Sequence, residues 1–468
     1  MRLTVSRNSR YALGPALCTQ LFSILLLFWF AGSPAQAKEF LANDYGAKPD
    51  GVTLATSSIQ AAIDAASNLH GTVTLRPGVY LSGALFVKSG VTLRIGSGVT
   101  IRGVRDLSGY PLMPTRVAGI EMIWPAALIN VYEQKNVSIT GSGTIDGDGK
   151  YWWDSYWTLR KQYEPRGLRW ASDYDAKRPR LIQIYKSSGV SLSNLGLRRS
   201  GFWTVHICYS HDVSIDGVTI RNNEGGRGPS TDGIDIDSSS RIRVERADIE
   251  VNDDALCLKA GRDADGLRVH RPTEDVVIRN STVRDGAAGV TFGSETSGGF
   301  RNIDVSGLHV LAPVPIVILF KSAHTRGGFG EAIRIHDILA EGVGTVFEVN
   351  LNWNPSYSYA AIPPDARNVP DYWRVLATPV AAAQGMPHFR DVTITGVKAV
   401  GARVAFRVSA YRSAPLVGFR LEDWTVEAGS AGSIADARDW IVRNVAVHAS
   451  DGSKVSLLDS TGIFRFKQ

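Results

Sequence analysis

A short alternation of apolar and polar residues recurs along most of this chain. Each copy places two apolar side chains two positions apart, and many copies begin with Gly, Asn or Asp. The copies begin at Asn136, Gly189, Asp212, Arg241, Asp275, Asn302, Ala332, Asp391 and Gly418. Strict alternation predicts half-buried β-strands, and recurrence at roughly 22 to 34 residues predicts stacked units. Larger gaps after Asn136 and after Ala332 indicate coils that carry long insertions.

The segments between the strands show no apolar period of 3.6 residues, so helical crossovers are not expected. This excludes α/β barrels and doubly wound sheets and leaves an all-β fold, a single-domain right-handed parallel β-helix (a β-solenoid). Residues 56–68 differ, because their apolar side chains have helical spacing, and they predict a short helix that caps the N-terminal end of the solenoid. Residues 151–174 and 350–387, rich in Trp, Tyr and Pro, are expected to be long loops over the wall.

The first 37 residues have the pattern of a secretory signal peptide. Three arginines precede an apolar run at 21–30, and the small-x-small site Ala35-Gln36-Ala37 follows. We therefore expect residues 1–37 to be removed and residues 38–468 to form the β-helix domain, either secreted or periplasmic. The alternative is an uncleaved membrane anchor, which the short apolar run disfavours. No membrane association is expected after cleavage.

Charge and cysteine content limit the partners. The chain has 468 residues and a formal net charge of +6, which falls to +3 without the three leader arginines. A weak positive charge suits an acidic polymer, although a solvated surface is the simpler cause, and no Lys/Arg run favours nucleic acid. Cys208 and Cys257 lie about two coils apart, too far for a disulfide at roughly 4.8 Å per coil. Two buried free thiols are expected, with no zinc site.

Two acidic clusters lie in the middle of the chain. Asp232 stands within residues 230–235, and Asp253 and Asp254 begin 21 residues later. Because this offset is close to one coil, the three carboxylates should lie on neighbouring rungs of one face. Carboxylates held close on a rigid wall suit acid/base hydrolysis. The alternatives are a polar ladder at a solenoid turn, or a calcium site.

The chain resembles glycoside hydrolase family 28, the polygalacturonase-like pectin hydrolases, over nearly all of residues 38–468. The resemblance rests on residues 44–51, 59–64, 77–80, 231–235, 253–263 and 293–299. It implies inverting hydrolysis of an α-linked uronic-acid polymer by a protein without cofactor or metal, which we expect to be a monomer. By position, Asp253 would be the general acid, and Asp232 and Asp254 the bases that activate water. Crowded carboxyls cannot all ionise cheaply, so one is expected to keep its proton.

Substrate-binding positions follow from the same resemblance. Lys321 and Glu295 stand where the family binds its substrate. Leu319 stands at the position of an Arg that shares carboxylate binding with the lysine, and Ala287 at that of a His that supports the acids. His324 or Arg326 could supply a displaced cation, or either could be an ordinary loop residue.

These departures leave the substrate open. The partner is expected to be a pectic polysaccharide or oligosaccharide, either galacturonan or a backbone that contains rhamnose, since a neutral sugar needs no Arg. Cleavage from chain ends or within the chain is equally compatible with the sequence. A pectate-lyase-like enzyme lacks a convincing basic residue beside the acids, and a non-catalytic carbohydrate-binding solenoid or catalytically silent homologue is the remaining alternative.

Overall fold

The recurring alternations form parallel strands that stack one coil above another. Val137, Val190, Val213 and Ile242 pair in register in successive coils. The fold is a right-handed parallel β-helix, as the sequence predicts. The computed structural model describes residues 38–467; the predicted signal peptide, residues 1–37, lies outside the described residues. No helix of the described part is long and apolar enough to cross a membrane.

Three ladders of parallel strands follow the solenoid axis. Ladder 1 contains Leu85–Phe86, Ile129–Tyr132, Ile182–Tyr185, Val205–Cys208, Ile234–Asp237, Asp254–Lys259, Ala288–Phe292, Ile316–Lys321, Thr345–Asn350 and Ser456–Leu458. Ladder 2 contains Glu39–Leu41, Thr72–Thr74, Thr92–Arg94, Lys135–Thr140, Ser188–Ser193, His211–Asp216, Ser240–Glu245, Thr273–Arg279, His388–Phe389, Trp440–Ala449 and Gly462–Lys467. Ladder 3 contains Asp50–Leu54, Gly78–Ser82, Val99–Gly103, Thr144–Asp146, Gly196–Arg198, Thr219–Arg221, Asp248–Glu250 and Thr282–Asp285.

The remaining strands either join the ladders or lie outside them. Several longer strands bend from one ladder into the next: Phe300–Leu311, Phe329–Glu341, Val392–Ser409 and Arg420–Ala435. Trp440–Ala449 and Gly462–Lys467 likewise continue from ladder 2 into ladder 3. Leu112–Val117 and Ile120–Pro125 form an antiparallel hairpin, and Leu416–Val417 pairs with Ala437–Arg438.

The first residue of each alternating copy explains the preference for Gly, Asn and Asp. Asn136, Asp212 and Asp275 each have φ of 55°, and even Arg241 and Ala332 adopt 53° and 52° at the same point. Left-handed backbone is least costly for Gly, Asn and Asp. The coil therefore turns into each ladder 2 strand through one left-handed residue.

The core is a column of stacked aliphatic side chains. Ile139, Leu192, Ile215, Val244 and Ile278 pair in successive coils and are at most 1% exposed. Burying one such side chain contributes about 1.5–3 kcal/mol relative to leaving it exposed. The alternation that defines the repeat is thus the alternation between this column and the outer surface.

The predicted capping helix is present as Thr56–Ser67, which buries Ile59, Ala62, Ile63 and Ala66. The prediction of a loop is wrong for residues 151–174, which are mostly helical, and holds for most of residues 350–387, where three short helices interrupt irregular chain. The helices after the cap are Lys150–Tyr163, Ser172–Asp175, Asp263–Val269, Pro355–Ser358, Asp371–Leu376 and Ala382–Gly385. The 3-10 turns are Ala42–Tyr45, Leu107–Gly109, Glu164–Arg166 and Arg169–Ala171.

The missed helices have a physical cause. Trp152, Trp153 and Tyr156 are buried on one face of Lys150–Tyr163, which is helical spacing, but the abundance of aromatic residues resembles a loop by composition. The hairpin and the helical segments form a layer on the wall, called here the insertion layer (residues 112–125, 150–175 and 353–376).

The two cysteines occupy strands separated by one intervening strand. Cys208 pairs with Asp237, and Cys257 pairs with Asp235 of the same middle strand. Within residues 38–467 both thiols are free and buried. This confirms the expectation of two unlinked thiols two coils apart.

Candidate active site

The wall that carries the acids is ladder 1. Ile234, Leu256 and Val290 face the core in register, while Asp235, Cys257 and Thr291 form the adjacent, oppositely directed row. Successive side chains of a strand point to opposite faces. Polar side chains at every second position of ladder 1 therefore collect on one outer surface.

The three predicted acids lie at the starts of two neighbouring strands. Asp232 precedes Ile234–Asp237, and Asp253 and Asp254 stand at the start of Asp254–Lys259. The amide of Gly233 donates to the carbonyl of Asp254 at 2.9 Å, which ties the two turns together. All three acids line one cleft, and carboxylate oxygens of Asp232 and Asp254 lie within 4.8 Å of each other.

Two buried lysines hold these carboxylates. Nζ of Lys259 lies 3.3 Å from Asp232, 3.4 Å from Asp235 and 3.4 Å from Glu295. Nζ of Lys321 lies 2.7 Å from Oδ2 of Asp254. Paired and hydrogen-bonded charges are the form in which charged groups are tolerated in an interior.

The adjacent acids Asp253 and Asp254 differ in electrostatic environment. Burial, helped by the neighbouring Asp254 charge, raises the pKa of Asp253. Burial also acts to raise the pKa of Asp254, but Lys321 and Lys259 outweigh it and lower that pKa below its usual value. Asp253 therefore favours its protonated form and Asp254 its ionised form, the division that a general acid and a general base require.

Asp232 and Asp235 form the other half of the acidic cluster. Burial and the charges of Asp235 and Asp253 raise the pKa of Asp232 well above its ordinary value. Burial, opposed by Lys259, raises the pKa of Asp235 to about 7. Groups that interact this strongly titrate as a set, and these two hold protons that Asp254 does not.

The predicted substrate-binding residues divide into two groups. Lys321 and Glu295 line the cleft with the acids. Arg326 is fully buried, and its guanidinium lies 2.5 Å from Asp263, outside the cleft lining. His324 also lies outside that lining and stacks on Tyr359, with ring centroids 4.3 Å apart. The geometry thus places Arg326 as an internal support and gives the displaced-cation hypothesis no contact in the cleft.

The two altered family positions lie in the two coils that follow the acids. Leu319 is 2% exposed and pairs with Thr291 and Glu348. The amide of Ala287 donates to the carbonyl of Asp253 at 2.8 Å. Ala287 therefore lies directly beside the predicted acid, but its methyl group offers that acid no side-chain hydrogen bond.

Several cleft residues were missed by the sequence reasoning. They are Ala118, Arg169, Asp173, Phe202, Trp203, Lys259, Ser294, Trp353 and Tyr357. Lys259 was within reach, because alternation places it on the same face as Asp235 and Cys257. Arg169 and Asp173 carry no such signal, since they come from the insertion layer and reach the cleft only through tertiary packing.

A metal ion suits the donor spacing but not the charge of the cleft. Oxygens of Asp232 and Asp254 and the sulfur of Cys257 lie within 4.8 Å of one another. The ammonium groups of Lys259 and Lys321 already lie 3.3 and 2.7 Å from these carboxylates. Calcium also prefers an all-oxygen shell, so the residues fit acid/base chemistry better than the calcium alternative.

A β-helix wall that holds protonated and ionised carboxyls together is the arrangement of a glycoside hydrolase. Residues 74–313 match the model of glycosyl hydrolases family 28. The match covers half of the chain, and the chain belongs to that family. The family resemblance noted in the sequence is therefore confirmed.

Named relatives share this family. A probable polygalacturonase from Vitis vinifera is 29% identical over 66% of this chain and 62% of its own length. An exo-poly-alpha-D-galacturonosidase from Dickeya chrysanthemi is 25% identical over 62% of this chain and 53% of its own length. The crystal structure of an exopolygalacturonase from Thermotoga maritima superposes with a TM-score of 0.72 and 25% identity, over 91% of this chain and 92% of that one. The chain thus spans about half to two thirds of the two relatives matched by sequence.

Proposed function

We propose that this protein is a polygalacturonase-like glycoside hydrolase that cleaves α-linked galacturonate bonds in pectin. The observation that carries the proposal is the gathering of Asp232, Asp253 and Asp254 in one cleft, with Nζ of Lys321 2.7 Å from Asp254. Burial raises the pKa of Asp253, whereas Lys321 and Lys259 lower that of Asp254. The names of the relatives from Vitis vinifera and Dickeya chrysanthemi support the substrate class.

The reaction is an inverting hydrolysis with two proton transfers. Asp253 donates its proton to the glycosidic oxygen as the bond from the anomeric carbon to that oxygen breaks. A water attacks the anomeric carbon from the opposite face, and Asp254 takes the proton that the water loses. Asp232, which favours its protonated form, orients the water beside Asp254. Of the two predicted bases, Asp232 and Asp254, it is therefore Asp254 that is ionised and accepts the proton.

The substitution Asp253→Asn tests the role of the acid. It keeps the shape of the side chain and removes the proton donor, so release of reducing sugar from polygalacturonate should fall by at least about 10²- to 10⁴-fold, while circular dichroism stays unchanged. Asp212→Asn is the matched control, since Asp212 is exposed on ladder 2 and Asn tolerates its left-handed backbone. Near-wild-type turnover by the Asp253 variant would defeat the assignment.

Inversion has its own readout. NMR of the first products should show the anomer opposite to the α-linkage before mutarotation, whereas retention of the α-anomer would contradict the mechanism. An unsaturated product that absorbs in the ultraviolet would instead identify a lyase.

A backbone that contains rhamnose is the second candidate substrate. It is favoured by Leu319, whose buried aliphatic side chain stands where an Arg would help to bind a uronate. Product profiles on galacturonan and rhamnogalacturonan, measured side by side, distinguish the two. Faster hydrolysis of rhamnogalacturonan would replace the galacturonan proposal.

We further propose that residues 1–37 direct export and are then removed, so that the enzyme acts on pectin either outside the cell or in the periplasm. The basic, apolar and small-x-small order of the leader supports this. Mass spectrometry of the exported protein should give an N-terminus at Lys38. A retained leader would contradict it.

A further inference from the structure

The insertion layer has its own hydrophobic core beside the catalytic wall. This core includes Trp124, Trp170, Tyr174 and Trp373 of the layer, which pack with Phe202 and Trp203 of the adjoining wall. Phe202 and Trp203 also line the cleft, together with Ala118 from the hairpin. The side of the cleft next to Asp232 is therefore a packed layer rather than a mobile loop.

Arg169 presents the basic group of this layer to the cleft. It lies in the turn Arg169–Ala171, with 13% of its side chain exposed. Its guanidinium lies 2.9 Å from Asp173 and stacks over the ring of Tyr357 at 5.1 Å. Its Nε has no hydrogen-bond partner among the described residues. A buried donor without a partner costs about 1–3 kcal/mol, so the contacts within the insertion layer leave the hydrogen-bonding capacity of Arg169 incompletely used.

The charges around Asp173 leave positive charge to spare. Asp173 receives the guanidinium groups of both Arg169 and Arg178 at 2.9 Å, and the hydroxyl of Ser230 at 2.7 Å. Two cations thus share one carboxylate. Lys259, by contrast, already has three carboxyl groups within 3.4 Å.

Ser230 connects this basic group to the acids. Its hydroxyl donates a hydrogen bond to Asp173, and it lies two residues before Asp232 in the same turn. Ser230 therefore docks the insertion layer onto the catalytic turn.

A second recess lies beside Asp253. Asn252 and Ala287, which flank Asp253 in sequence and by hydrogen bond, line this recess. No residue of the insertion layer lines it, whereas Arg169 and Tyr357 of that layer line the cleft together with the acids. A chain that continues past Asp253 into this recess therefore does not meet the insertion layer.

We propose that Arg169 binds the carboxylate of the terminal uronate of a galacturonan chain. The insertion layer stops the chain there, and cleavage proceeds from a chain end. A planar guanidinium suits a carboxylate through two parallel hydrogen bonds. Arg169 thus supplies, from a different element, the carboxylate recognition that Leu319 cannot provide. This inference rests on the proposed hydrolase function.

The test measures KM and kcat of the wild type, Arg169→Gln and Arg169→Lys on trigalacturonate and on its methyl ester. Loss of a hydrogen bond to a charged group predicts that Arg169→Gln raises KM for the free acid about 10- to 100-fold, with kcat changed much less. KM for the ester should change little, and Arg169→Lys should recover part of the loss. Arg160→Gln is the matched control, because Arg160 pairs with Glu164 on the surface of the same layer.

The outcomes separate a binding role from a structural one. Equal losses on the acid and the ester would show that Arg169 only supports the fold, and would overturn the inference. Should Arg169→Gln fail to fold, a crystal structure of Asp253→Asn with trigalacturonate decides: the terminal carboxylate must lie within hydrogen-bond distance of Arg169. If the wild type releases products of mixed lengths from polygalacturonate at early times, chain-end cleavage is overturned. No hydrolysis of any pectic substrate by the wild type would instead refute the proposed function.

Discussion

Lys259 contacts three acidic side chains of the buried cluster. The substitution Lys259→Met keeps the length of the side chain and removes the ammonium from between Asp232, Asp235 and Glu295, which lie 3.3, 3.4 and 3.4 Å away. All four side chains are at most 5% exposed. The variant therefore confines three carboxyls in an interior without the cation that compensates them.

The cost can be worked from these distances. At 3.4 Å and an effective dielectric constant of about 20, the ion pair of Lys259 with Glu295, whose pKa is lowered, is worth about 5 kcal/mol before desolvation is subtracted. Removing one partner of a buried pair costs about 3–5 kcal/mol. An unfolding entropy of about 2.1 cal/mol/K per residue over roughly 430 residues converts this to a fall in Tm of about 3–6 °C.

The pH dependence is the sharper part of this prediction. Without Lys259, burial raises the folded-state pKa of Asp232 and Asp235 further above their unfolded values. Glu295, whose pKa lies below its usual value, loses one of the cations that lower it but keeps the charges of Arg326, Arg262 and Lys321. A raised carboxyl pKa means that the native state binds more protons than the unfolded state, so stability falls as pH rises through the interval between the two values. The loss of Tm relative to wild type should therefore be smaller at pH 4.5 than near pH 8.

The assay is thermal unfolding of both proteins at the two pH values. Lys186→Met, an exposed lysine 3.7 Å from Glu133, is the control and should stay close to wild type at both. A loss of Tm that is equal at both pH values, or greater in acid, would refute the account of Lys259 as the cation that compensates this cluster.

Two further substitutions test the catalytic charge and the core. Lys321→Met removes the cation 2.7 Å from Asp254 and so raises the pKa of that carboxyl. The acid limb of the pH profile of kcat should therefore move to higher pH, and kcat at pH 5 should fall about tenfold or more. An acid limb at the wild-type pH would contradict this. Ile215→Ala in the stacked column should lower the free energy of unfolding by about 2–5 kcal/mol in urea titrations, against less than about 0.5 kcal/mol for Ser214→Ala on the outer face of the same strand; equal losses would contradict the assignment of faces.

Local pattern was sufficient for the solenoid. The two-residue alternation at Asn136, Asp212 and their repeats predicts the ladder 2 strands, because each copy meets the same core and the same left-handed turn. The offset from Asp232 to Asp253 matches one coil, so stacking alone brings these acids to adjacent strands. The sequence also predicts the capping helix, because the residues of its buried face have helical spacing: Ile59, Ala62, Ile63 and Ala66.

The tertiary structure alone decided how the acids are charged and what surrounds them. Lys259 and Lys321 set Asp254 apart from Asp253 only because four coils bring their side chains into one buried space. Arg169 reaches this site from an insertion whose helices pack on distant segments, as Trp170 does on Trp373. Periodicity records which face a residue occupies within its own coil. It does not predict contacts between an irregular insertion and a wall some 60 residues away along the chain. Those contacts depend on how the insertion layer packs against the wall.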